Sequence, residues 1–78
     1  MTKAGEHPSL GSRSYTEARQ RKLRRTLRSY GVLTGEHLRE AAGAESWRAP
    51  FELVLERAIA AKRVRRLHGD LYEAGPEH

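Results

Sequence analysis

The residues of this chain best equipped for chemistry are basic, and they arrive in two runs. Arg19, Arg21, Lys22, Arg24, Arg25 and Arg28 fall within the ten positions RQRKLRRTLR, with no acid among them. Lys62, Arg63, Arg65 and Arg66 form the second run, KRVRR. Cationic groups at this density suit polyanions, because each phosphate they neutralise releases condensed counterions. The whole chain agrees in sign, with 15 Lys and Arg against 10 Asp and Glu and a formal net charge of +5. Net charge favours a polyanionic partner but carries no information about fold.

No comparable concentration points to catalysis. His7, His37, His68 and His78 show neither Glu-x-x-His nor His-x-x-x-His spacing, so a metal site is not expected. The absence of cysteine removes disulfides, thiolate nucleophiles and Cys-ligated zinc. There is no glycine-rich phosphate loop and no nucleophile with a base at fixed spacing. The expectation is a protein that is not an enzyme, needs no cofactor and has no evident small-molecule ligand. No apolar run approaches the roughly 20 residues needed to span a bilayer, and MTKAGEHPSLGS lacks the apolar centre of a signal peptide. Membrane association is therefore not expected, and a cytoplasmic location is. Arginine in place of lysine suggests a GC-rich bacterial genome.

The charges must be carried by local elements, and these can be read from spacing. Residues 1–13 are polar, contain Gly5, Pro8 and Gly11, and read as a flexible tail. Ser14 and Glu17 form a capping box for a first helix over about 15–30, and Gly31 supplies its stop. Tyr15, Ala18, Leu23, Leu27 and Tyr30 give that helix an apolar stripe. Arg21, Arg24, Arg25 and Arg28, at i, i+3, i+4 and i+7, form a basic stripe roughly opposite. An ordinary solvated face would interleave acids, and none follows Glu17, so an anion-facing role competes with plain solubility.

Thr34 can cap a second helix, with Leu33 stapled onto Leu38, and Gly43 ends it. Phe51, Val54, Leu55, Ala58 and Ile59 give a third helix its buried face. Its start is either at Pro50, as first helical residue, or at Ser46 as a cap. KRVRRLHGDLYEA then reads as two strands joined by a Gly69-Asp70 turn, with Val64, Leu67, Leu71 and Tyr72 inward. Such a hairpin must lie against the helices to be stable. Arg65 and Arg66 fall on opposite strand faces, so at least one of them is expected over the core with its aliphatic stem buried. Residues 76–78 are a short polar end.

The order helix, helix, helix, two-stranded hairpin, with VLTGEHLREAAGAE, FELVLERAIAAKRVRRL and HGDLYEA, resembles the winged helix-turn-helix family over residues 14–75. The resemblance implies a mainly α domain with a small β-hairpin wing. It implies a DNA-binding protein, a transcriptional regulator or accessory factor, with double-stranded DNA as partner. By position, the helix over about 49–61 would enter the major groove with Arg48, Glu52, Glu56 and Arg57 near bases. Arg65, Arg66 and His68 would meet phosphates, and Thr34, Gly35 and His37 would offer a helix N-terminus to another. A two-fold site would require a homodimer, for which Leu53 and Ala60 are candidate contacts.

The third helix also carries features that point elsewhere. With Phe51 inward, Glu52, Leu53, Glu56, Arg57 and Ala60 face outward, and between 34 and 56 five glutamates oppose two arginines. The alternative is a winged helix that binds protein, with Leu53, Glu52, Glu56 and Ala60 as a polar-rimmed patch. Binding of RNA or the ribosome through the first helix is weaker, because no aromatics interleave its basic residues. Trp47 reads either as core packing or as an exposed anchor for a partner.

Overall fold

A computed structural model of the chain describes residues 13–76. The expected flexible tail, apart from Arg13, lies outside the described residues, as do His7, Glu77 and His78. Helix α1 spans Arg13–Tyr30, strand β1 Leu33–Thr34 and helix α2 Gly35–Ala41. A 3-10 turn at Ala44–Ser46 leads to helix α3, Phe51–Ala60, followed by strands β2, Val64–Arg66, and β3, Leu71–Ala74. The domain is thus mainly helical with one small antiparallel sheet.

That sheet corrects the expected two-stranded hairpin: it has three strands in the order β1-β3-β2. Leu33 pairs with Tyr72 and Thr34 with Leu71, so the segment between the first two helices closes the free edge of β3. A two-residue strand carries no readable alternation, which is why it is invisible in the sequence. The hairpin turn has Gly69 at φ 62°, a conformation that favours glycine, and Leu71 N–H donates to the His68 carbonyl at 3.3 Å. The ladder then resumes between Leu67 N–H and the Leu71 carbonyl at 2.8 Å, leaving one additional residue on the incoming strand.

Helix ends follow local chemistry. Thr34 caps α2 as expected, its hydroxyl accepting the His37 N–H at 3.1 Å. Gly31 and Gly43 take positive φ just beyond α1 and α2. The Ser14–Glu17 box does not mark the start of α1, because the helix already includes Arg13. Neither expected start of α3 is realised. Pro50 is itself the extended residue before the helix, while the Ser46 hydroxyl bonds the Gly43 carbonyl within the 3-10 turn. Proline at a cap sacrifices nothing, since its missing N–H would have had no helical partner.

Leu23, Leu27, Leu38, Phe51, Val54, Leu55, Ala58, Val64 and Tyr72 form the centre of the core. The α3 face matches the spacing, although Ile59 is only half-buried. In the hairpin Val64 and Tyr72 point inward as expected, whereas Leu71, next to the turn, is exposed. The α1 stripe differs more. Leu23 and Leu27 are buried, but Ala18 is exposed and Tyr30 is 65% exposed. Thr16, Gln20 and Thr26 are buried in their stead. Thr16, Gln20, Leu23 and Leu27 share one face by spacing, yet the inner half of that face is polar because it meets arginines rather than hydrocarbon. Arg63 donates to Gln20 Oε1 at 2.6 Å, Arg57 to Thr16 Oγ1 at 3.4 Å, and Gln20 Nε2 to the same hydroxyl at 3.4 Å.

Candidate nucleic-acid interface

The basic residues of α1 separate into two populations. Arg24 turns toward the end of β3 and donates from Nε to the Gly75 carbonyl at 3.4 Å. Arg21, Lys22, Arg25 and Arg28 remain exposed on the side away from Leu23 and Leu27. Arg21 lies 4.0 Å from Glu17 one turn earlier. Lys22, Arg25 and Arg28 make no ion pair among the described residues. Arg19, the remaining member of the run, stacks its guanidinium 4.0 Å from the centroid of the Tyr15 ring.

The arginines of β2 are both exposed and both matched by an acid. Arg65 faces Glu73 across the ladder with 3.6 Å between charged atoms. Arg66 reaches Glu56 of α3 at 3.3 Å, donates to the Tyr72 hydroxyl at 3.2 Å and lies 5.5 Å from that ring's centroid. The two side chains do leave opposite faces of β2, with Arg66 on the α3 side. His68 is exposed in the turn.

Three expected contacts are placed otherwise. Arg57 is half-buried and turned to Thr16 of α1, because α1 packs along that side of α3. Leu53 is half-buried against the core and is not the centre of an outward patch, while Glu52, Glu56 and Ala60 are exposed. The N-terminus of α2 is already occupied from within. Thr34 takes the His37 N–H, and the Asp70 carbonyl takes the Gly35 N–H at 3.0 Å. The Asp70 carboxylate lies so close that a Cβ on Gly35 would stand 2.9 Å from it. An acid at a helix N-terminus fills the place a phosphate would take.

Arg48 and Glu52 line a shared groove of about 660 Å³ between α2, the 3-10 turn, the start of α3 and the hairpin tip. Trp47 is half-buried against the core there, its ring centroid 6.4 Å from that of Phe51, so it is neither sealed inside nor a free-standing anchor. The sequence alone does not reveal this groove. Glu36, Glu45, Glu52 and Asp70 are far apart along the chain, and only the acidic excess between 34 and 56 hinted at it.

Among the described residues no group of His, Asp and Glu is arranged to hold a metal ion, and no helix is long and apolar enough to cross a membrane. Comparison with protein-family models, with curated proteins and with solved structures finds no match to this chain.

Proposed function

We propose that this protein is a small winged helix that binds double-stranded DNA through its phosphate backbone, with the outer face of α1 as the principal contact. The observation that carries the reading is the exposed Lys22, Arg25 and Arg28, without ion pairs among the described residues. Like charges at helical spacing cost a few tenths of a kcal/mol per pair, and phosphates would remove that cost. Arg65 and Arg66 supplement this face. Their ion pairs are solvent-exposed and weak, and exchange readily for phosphate.

Helix α3 plays a lesser part in this reading than the resemblance implies. Its exposed carboxylates Glu52 and Glu56 repel the phosphates lining a major groove, and its Arg57 is engaged with α1. Binding is therefore largely independent of sequence, as befits an accessory factor more than a regulator of one operator. The element order, with β1 closing a three-stranded sheet, supports the winged-helix description.

Fluorescence anisotropy with labelled duplex DNA at about 50 and about 200 mM salt tests the proposal. Affinity should fall steeply with salt, and K22A/R25A/R28A should flatten the log–log slope by about 3, near one for each phosphate no longer neutralised. Absence of binding at low salt, or an unchanged slope in the triple variant, would refute it.

A further inference from the structure

The groove beside α3 is chemically the reverse of the α1 face. Its floor is aromatic, formed by half-buried Trp47 with Phe51 and Tyr72. Its rim carries Glu36 from α2, Glu52 from α3 and Asp70 from the hairpin turn, all exposed and without ion pairs among the described residues. Glu45 also contributes, and of the two arginines that line the groove Arg39 stands 4.0 Å from Glu45 while Arg48 is exposed, so the four acids of the lining exceed its bases by two. Three elements thus bring carboxylates around an aromatic surface in a molecule whose overall charge is +5.

We propose that this groove docks an arginine- or lysine-bearing peptide segment of a partner protein, with the cation over the Trp47 ring and its charge met by Glu36 and Glu52. Cations are attracted to the faces of aromatic rings, most strongly tryptophan, and carboxylates add charge-assisted hydrogen bonds. The molecule contains an internal version of the same arrangement. Arg66 lies over the Tyr72 ring at 5.5 Å while bonding the Glu56 carboxylate at 3.3 Å. A nucleic acid is disfavoured at this rim by the same carboxylates. The volume of about 660 Å³ accommodates several residues of a passing chain. This proposal does not depend on the DNA-binding reading, since it uses another face.

Trp47 is the only tryptophan, so its emission reports on the groove directly. The test titrates the full chain with an acetylated tetra-arginine peptide, and with tetra-glutamate as control. A saturable change in Trp47 emission is expected with tetra-arginine alone. E36Q/E52Q, which alters two exposed carboxylates, should weaken it by about tenfold, equivalent to about 1.4 kcal/mol. No saturable change, or equal affinity in the double variant, would overturn the proposal. So would salt-sensitive self-association abolished by E36Q/E52Q without tetra-arginine binding, which would assign the groove to α1 of a second copy. Duplex-DNA anisotropy on the same variant keeps the two proposals separable, because its affinity should be undiminished.

Discussion

The phenol oxygen of Tyr15 accepts the main-chain N–H of Arg48 at 2.7 Å, tying the first turns of α1 to the segment that launches α3. Burial alone would push this phenol up. The N–H groups of Arg48 and Ala49 and the Arg19 guanidinium outweigh it and hold the phenol below its ordinary value of 10.0. The folded state therefore favours the phenolate. Its contribution is complete above the unfolded-state value and is lost as pH falls through the lowered folded one. Wild type should gain stability over Tyr15→Phe as pH rises toward 10.0, a widening that paired thermal melts across this range would reveal. A constant gap would contradict the linkage.

Truncation of the buried leucines should separate them from the solvent-exposed end of the α1 stripe. Leu27 is 1% exposed and Leu55 5% exposed, so Leu27→Ala and Leu55→Ala should each cost about 2 to 5 kcal/mol. Tyr30→Ser should change stability by no more than about 0.5 kcal/mol, because Tyr30 is already largely exposed. Urea unfolding of the three variants provides the comparison.

Two glycines stand where a side chain would meet a close neighbour, with consequences that differ in severity. A Cβ on Gly75 would collide with the Lys62 carbonyl and stand 2.9 Å from the Arg63 carbonyl carbon, all backbone. A Cβ on Gly35 would meet Asp70 Oδ1, the end of a side chain able to rotate away. Gly75→Ala should therefore lower the melting temperature more than Gly35→Ala. Only the latter should be partly rescued by Asp70→Ala, measured as a coupling in a double-mutant cycle.

Lys62 ends α3 in a left-handed conformation, φ 66°, where glycine is the usual residue. The Lys62 N–H donates to the Ile59 carbonyl and the Arg63 N–H to the Ala58 carbonyl, the paired bonds of a Schellman stop. Lys62→Gly keeps both bonds and relieves the Cβ clash, at some loss through a more flexible unfolded chain. The expected net effect is a gain of up to about 1 kcal/mol, readable as a higher midpoint in urea.

Patterns with short range were legible in the sequence. Thr34 announced its cap, Gly31 and Gly43 their stops, and Phe51, Val54, Leu55 and Ala58 a buried face, because each depends on neighbours within one or two helical turns. The Gly69-Asp70 turn was readable for the same reason. Two basic runs and the acidic excess between them were equally plain along the chain.

Whatever depends on which face meets which neighbour was decided by tertiary structure. Pairing of Leu33 and Thr34 with β3 required a partner nearly forty residues away. Gln20 and Thr16 are inside, and Tyr30 outside, because α1 lies against Arg57 and Arg63 at one end and runs past the core at the other. The charge runs read as uniform, yet folding assigns Arg24 to Gly75, Arg65 to Glu73 and Arg66 to Glu56. It leaves Lys22, Arg25 and Arg28 without such pairing among the described residues. Sequence determined how many charges the chain carries and on which elements they sit. Only packing could determine which are neutralised, since ion pairing depends on distance through space and not along the chain.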